Sequence, residues 1–173
     1  MIRFITDPNE RKRISREILE VLPEWFKIEE TREQYIAASA GLPMWSALDE
    51  GRHIGFLCLK ETGKDTIELA VMGVRKEYHR KGVGRRLFAA AKDYAARQGY
   101  SFMQVKTVRY GMYEDYDKTN DFYRSLGFRE LEVFEEYWDA VNPCQIYVMG
   151  LKSAIHTIAT RHSYRGKYAA DPV

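Results

Sequence analysis

The stretch from Ile67 to Arg97 places the tightest constraint on what this chain can fold into. Ile67-Glu-Leu-Ala-Val-Met-Gly-Val74 is a run of strand formers, and Val83 to Arg97 carries Val83, Leu87, Ala90, Ala91 and Tyr94 on one helical face. Between them lies Arg75-Lys-Glu-Tyr-His-Arg-Lys-Gly82, a short basic turn closed by glycine. A strand, a tight turn and a helix N-terminus in that order leave first-turn N–H groups converging on one point, where the helix dipole adds positive potential. Gly82 and Gly84 allow the backbone to approach a ligand, and Arg80, Lys81, Arg85 and Arg86 supply cations around it. A pyrophosphate would fit such a cradle. The glycines form no Walker loop, because no G-x-x-x-x-G-K-[S/T] occurs, and no dinucleotide fingerprint, which needs glycine at Leu87. Taken alone, the pattern is equally that of a basic helix cap in solvent.

The rest of the chain alternates strands and helices. Ile2 to Ile5 reads as a strand, and Asp7-Pro8 as a helix start, with Ile14, Ile18, Leu19 and Leu22 at helical spacing before Pro23 interrupts. A second helix is expected from about Glu29 to Ala40, then strands over Met44–Leu48, His53–Lys60 and Thr66–Val74. After the helix ending near Gly99 come a strand over Phe102–Val108, a polar loop over Arg109–Lys118 and a helix over Thr119–Leu126. Two last strands are expected over Phe128–Trp138 and Gln145–Leu151, and residues 152–173 read as a peripheral tail. The order β-α-α-β-β-β-α-β-α-β-β is that of an α/β or α+β fold with a mixed sheet.

Composition excludes several function classes. With 173 residues, 45% hydrophobic and 30% charged, the chain suits one soluble domain with a sizeable core. A net charge of +2, with bases alternating with acids, leaves no concentrated basic face, so nucleic acid is not an expected partner. Cys58 and Cys144 have no metal-ligand spacing and the four histidines are scattered, so no metal is expected. Met1-Ile-Arg-Phe-Ile-Thr-Asp-Pro lacks a signal-peptide apolar region, and no apolar run approaches about 18 residues. Neither a membrane span nor secretion is expected, and a cytoplasmic location follows by elimination.

His79-Arg-Lys-Gly-Val-Gly84, after a strand ending in valine, resembles the coenzyme A signature Arg/Gln-x-x-Gly-x-Gly/Ala of the GNAT superfamily of N-acetyltransferases, with His79 at the first position. Thr119-Asn-Asp-Phe-Tyr-Arg-Ser-Leu-Gly-Phe128 resembles that family's second motif, commonly ending F-Y-x-x-x-G-F, and Phe102–Val108 takes the place of the strand before it. Trp138-Asp-Ala-Val-Asn-Pro-Cys-Gln-Ile-Tyr-Val-Met149 resembles a bacterial subgroup with N-P-C ahead of its final strand. The resemblance covers residues 1–152 and leaves 153–173 as an extension. It implies the GNAT fold, a mixed, mostly antiparallel sheet of about seven strands flanked by about four helices. It also implies acetyl-CoA as cosubstrate, without a metal, and transfer of its acetyl group to a primary amine by direct attack in a ternary complex.

On that resemblance, Met72, Gly73 and Val74 line the acyl and pantetheine path in a wedge between two splayed strands. His79, Arg80, Lys81, Gly82, Val83, Gly84 and Arg85 hold the pyrophosphate, with position 79 contributing chiefly loop structure and backbone. Gly73 has a physical rationale as well, since glycine within a strand marks a bulge or a close approach. The Val74 N–H is the expected oxyanion donor.

Amine acetylation needs a neutral nucleophile. Holding a lysine-like amine neutral at about pH 7 costs roughly 4.6 kcal/mol. Glu68 is the candidate base: simple alternation puts it on the face of Ala70 and Met72, burial would raise its pKa, and it precedes His79 by the spacing of the catalytic glutamate in histone-type GNAT enzymes. Pairing with a neighbouring Lys or Arg, or action through water, stays open. Tyr123, the tyrosine of F-Y-x-x-x-G-F, is the candidate acid for the leaving thiolate, with a packing role as the alternative. The family's asparagine ahead of this pair falls at Tyr116.

Acids and aromatics gather in Tyr110–Asp117 and Glu130–Asp139. If both segments rim the acceptor cleft, they favour a cationic small-molecule or peptide amine, with Trp25 and Phe26 as a further wall; a solvated acidic rim is the alternative. A homodimer stays open, as does a non-catalytic acetyl-CoA-binding regulatory module.

Overall fold

The computed structural model describes residues 1–139 and 141–151. The expected tail over 153–173 lies outside the described residues. The elements are β1 (Ile2–Ile5), α1 (Pro8–Leu19), α2 (Glu29–Ser39), β2 (Met44–Asp49), β3 (Arg52–Gly63), β4 (Thr66–Val74), a 3-10 turn (Lys76–Tyr78), α3 (Val83–Arg97), β5 (Phe102–Val108), α4 (Glu114–Ser125), β6 (Arg129–Phe134) and β7 (Cys144–Gly150). Their order is the expected one. The strands form a single sheet in the order β1-β2-β3-β4-β5-β7-β6. Every neighbouring pair is antiparallel except β4 and β5, which are parallel and bridged by α3.

Helix starts follow local chemistry. Asp7 accepts a hydrogen bond from the Asn9 N–H at 3.0 Å, and Pro8 occupies the first turn of α1, where its missing N–H costs nothing. Sequence placed the start of α4 at Thr119, within an otherwise loop-like acidic stretch; the helix begins at Glu114 instead. Its first turn holds Glu114, Asp115 and Asp117, charges that the positive end of a helix dipole favours.

Each face of the sheet carries its own core. Ile14, Ile18, Leu19 and Leu22 of α1 and its exit, with Ile36 of α2, pack against Phe56, Cys58 and Val71. On the other face Val83, Leu87, Phe88 and Ala91 of α3, with Tyr123 of α4, pack against Leu57, Leu59, Ile67, Leu69, Met103 and Val105. β3 is buried continuously from His53 to Leu59 because both its faces are covered.

The phase of β4 changes within the strand. Cys58 pairs with Val71, but the next residue, Leu59, pairs with Leu69, so Ala70 is an extra residue, a β-bulge. Ile67 and Leu69 therefore point to the α3 side, whereas Val71 points to the α1–α2 side. Glu68 consequently lies on the α1–α2 side and Met72 on the α3 side. The expectation that they share a face is corrected: simple alternation fails across a bulge.

Candidate active site

Pairing of β4 with β5 stops at Leu69 and Val105, so Ala70 to Val74 are held by β3 alone and a gap opens on their other edge. The Arg75 N–H donates to the Ile54 carbonyl at 2.9 Å, which makes Gly55 and Val74 a non-hydrogen-bonded antiparallel pair. By the alternation of such ladders, Met72 and Val74 direct their own N–H and C=O groups into the gap. The Val74 carbonyl is met there by His79 Nε2 at 2.7 Å; since a carbonyl only accepts, that nitrogen carries the proton. The His79 ring also meets Trp25 edge-on, 5.9 Å between centroids. Position 79 thus works through its side chain as well as its backbone, a contribution that sequence reasoning did not assign.

The turn after β4 opens α3. Arg80 and Gly82 adopt left-handed backbone with φ of 57° and 75°, and no side chain caps the helix, so the first-turn N–H groups have no intrahelical or side-chain acceptor. A Cβ on Gly82 would meet nothing within 4 Å; its glycine answers the φ. The other two glycines have packing reasons. A Cβ at Gly84 would lie 2.8 Å from Met72 Cε and 3.0 Å from Phe122 Cζ, so this glycine lets α3, β4 and α4 close on one another. A Cβ at Gly73 would lie 2.7 Å from Ile18 Cγ2 and 3.1 Å from Leu22 Cδ1, so of the two readings of this glycine, a bulge or a close approach, the structure shows close packing of α1 here and a bulge at Ala70.

The cations of the turn divide. Arg85 donates to Ser125 Oγ at 3.2 Å and tethers α3 to the end of α4. Lys81 sits 5.3 Å from the Tyr78 ring centroid, and with Arg86 it lines an open cavity of about 370 Å³ on the β1–β2 side.

A loop roofs the gap. Trp25 Nε1 donates to Thr119 Oγ1 at 3.1 Å, and the Tyr116 hydroxyl donates to the Trp25 carbonyl at 3.1 Å, so the segment after α1 is clamped to α4. Asn120 anchors that helix: its Nδ2 donates to the Val108 and Tyr116 carbonyls, and its Oδ1 accepts from the Tyr147 hydroxyl at 2.7 Å.

Tyr123 is 8% exposed and packs on Phe128 and Tyr147. Its hydroxyl makes no hydrogen bond among the described residues, yet it is not sealed, because Arg32 Nε is the one buried side-chain polar atom among them that lacks a partner. Burial pushes the Tyr123 phenol well above its ordinary value, with smaller upward contributions from Tyr35 and Tyr116.

Glu68 is not an isolated carboxyl. It is paired with Lys106 and accepts from Gln104 Nε2 at 3.4 Å, all on the α1–α2 side. The Glu68 and Lys106 side chains are 13% and 16% exposed. Burial works against the Lys106 ammonium, but the Glu68 carboxylate outweighs it and the group ends above its ordinary value. Around the pair lie Tyr35, whose phenol burial raises, Tyr137, whose ring centroid is 5.7 Å from Lys106 Nζ, and Cys144, pushed up to about 11 by burial. Sequence reasoning left Lys106 and Gln104 unassigned. The signal was present: two polar residues alternate with Met103, Val105 and Thr107 in β5, on the register of Glu68.

Among the described residues, six of the eight acids of the two aromatic segments are engaged close to home, Glu132 and Glu136 being the exceptions. Glu114 and Asp115 pair with Lys118, Asp117 accepts from the Gly111 N–H at 2.6 Å, Glu130 pairs with Arg124, Glu135 pairs with Arg109, and Asp139 accepts from Val141 and Asn142 N–H groups. Among the described residues no group of three or more His, Cys, Asp or Glu could hold a metal ion, and no helix is long and apolar enough to cross a membrane.

Residues 40–130 match the model of an acetyltransferase (GNAT) domain. The chain is 27% identical over 106 residues to N-acetylaspartate synthetase of Xenopus tropicalis, which covers 61% of this chain and 37% of that protein. For the Homo sapiens protein of the same name the identity is 26%, over 61% of this chain and 33% of that protein. The matched region thus spans about a third of the length of these curated relatives. Among solved structures, a putative GNAT-family acetyltransferase from Desulfovibrio desulfuricans superposes with a TM-score of 0.72 at 18% identity, covering 87% of this chain and 99% of that one. The ribosomal-protein-S18-alanine N-acetyltransferase of Escherichia coli superposes with a TM-score of 0.68 at 16% identity, covering 87% and 94%.

Proposed function

The chain belongs to the GNAT acetyltransferase family, and on that premise we propose that it moves an acetyl group from acetyl-CoA to a primary amine by direct attack in a ternary complex. The observation that carries this reading is the roofed gap beside β4, entered from one side by open backbone and from the other by a titratable pair. The cosubstrate supplies an activated thioester. The residues present fit it. An uncapped helix N-terminus with a left-handed Gly82 and cationic neighbours suits a pyrophosphate, so His79, Arg80, Lys81, Gly82, Val83, Gly84 and Arg85 form the cradle. Met72 offers its free ladder groups to the pantetheine amides, Val74 lines the acyl end of the path, and Gly73 between them keeps α1 close behind.

Chemistry is divided between the two faces of β4. The Val74 N–H points into the gap and donates to the reacting carbonyl oxygen. Glu68 Oε1 carries no protein hydrogen bond among the described residues, since both donors to this carboxylate reach Oε2, so it accepts from the incoming amine directly or through a water. Tyr123, with its unbonded hydroxyl, supplies the proton or hydrogen bond to the departing sulfur. A thiol-release assay with acetyl-CoA over a broad amine panel tests the reading. Turnover with at least one amine is expected; tight acetyl-CoA binding without turnover of any amine would instead identify a binding module.

A further inference from the structure

The Glu68–Lys106 pair has donors and acceptors left over. The Lys106 ammonium has three N–H donors, and among the described residues only Glu68 Oε2 accepts from it. Gln104 reaches that same oxygen, which leaves Glu68 Oε1 open. Glu68 Oε1 is not sealed in the core, and the Lys106 side chain is 16% exposed. Among the described residues no second carboxylate pairs with Lys106, and Tyr137 presents its ring to it, the centroid 5.7 Å from Nζ. A purely cationic acceptor approaching Glu68 would meet the Lys106 charge with nothing of its own to balance it. An acceptor that carries a carboxylate a few bonds from its amine satisfies both halves of the pair.

We propose that Lys106 reads a carboxylate on the acceptor while Glu68 receives the amine, so that the acceptor class is an amine bearing a nearby carboxylate, as in a free amino acid. The proposal rests on the acetyl-transfer reading and names the substrate class of that same site. It replaces the cationic acceptor that the acidic segments suggested, since Glu114, Asp115, Glu130 and Glu135 of those segments already pair with Lys118, Arg124 and Arg109.

The test uses the purified full chain, acetyl-CoA, the common L-amino acids, their α-amides, and spermidine as a cationic comparison. The amide's amine is the easier one to deprotonate, so amine basicity alone would favour the amide. A preference for the acid of about 10- to 100-fold in kcat/KM is expected, the range of one hydrogen bond to a charged group. Lys106→Met is expected to lower the acid's kcat/KM at least about tenfold more than the amide's, mainly through KM, while Lys106→Arg keeps the preference. Equal rates for acid and amide, or faster turnover of spermidine, overturn the proposal and leave acetyl transfer standing. Equal losses on acid and amide in Lys106→Met overturn it too, since Lys106 then only positions Glu68. No turnover of any amine, with acetyl-CoA binding seen by calorimetry, overturns the acetyl-transfer reading and the proposal with it. Should Lys106→Met not fold, the acid-to-amide ratio of the wild type decides.

Discussion

In a Tyr123→Phe variant the ring stays, with its contacts to Phe128 and Tyr147 at centroid distances of 6.0 and 6.4 Å, and only the hydroxyl leaves. That hydroxyl has no partner among the described residues, so its removal costs the fold no protein hydrogen bond, and a change within about 0.5 kcal/mol is expected. Loss of a positioned general acid lowers kcat about 10²- to 10⁴-fold. Tyr147→Phe is the matched control. Its hydroxyl donates to Asn120 Oδ1, and Asn120 is 0% exposed, so the change strips a donor from a buried oxygen. The expected cost is about 1–3 kcal/mol, which for a chain of this size lowers Tm by roughly 2–12 °C. Urea unfolding with thermal scans gives the stabilities, and thiol release under saturating acetyl-CoA gives kcat. Full turnover in Tyr123→Phe would remove this residue from the chemistry. A Tyr123→Phe destabilisation as large as that of Tyr147→Phe would show that its hydroxyl serves the fold.

His79→Ala deletes the donor to the Val74 carbonyl and the contact with Trp25, and calorimetry should show acetyl-CoA bound about tenfold more weakly; His79→Gln, which keeps a donor, should lose much less. Gly73→Ala forces a Cβ against Ile18 and Leu22, and urea unfolding should show a loss of about 1–3 kcal/mol that shrinks when Ile18→Ala is already present; additive losses would contradict the packing account. Burial, with Arg13 and Arg3 adding to it, holds the His53 imidazole below its ordinary 6.5. The unfolded chain then binds this proton more readily, so the stability contributed by neutral His53 is present above pH 6.5 and declines as the pH falls through it. Urea midpoints should drop between about pH 7.5 and 5.5, and His53→Gln should flatten that slope.

Much of this architecture is legible in the residues, because each strand and helix carries its own period. The strand-turn-helix from Thr66 to Arg97 and the helix around Phe122-Tyr123 have local signals, hydrophobic spacing and bounding glycines, that packing has no reason to override. What was not legible depended on pairs far apart in sequence. Glu68 gains its meaning from Lys106, which no local window contains. Gly73 and Gly84 read as ligand approaches until the side chains of Ile18, Met72 and Phe122 occupy the space beside them. The first turn of α4 was hidden because aspartates such as Asp115 and Asp117 are poor interior helix formers yet good N-terminal ones.

The extra residue at Ala70 sets a rule of length for this chain. Its side chain is a methyl group, and many other residues could stand there; its presence is another matter. Removing position 70 would bring the two halves of β4 back into step. Leu69 would then run straight on to Val71, so Glu68 would stay on the α1–α2 side and Met72 on the α3 side; what would go is the local bend that the extra residue puts into β4 at the point where its pairing with β5 ends. Exchange at position 70 should be tolerated, whereas a one-codon deletion there should leave the two cores intact and act on the gap that the bend helps to open. The bend of the strand, more than any single side chain on it, belongs to the gap where the two reactants meet.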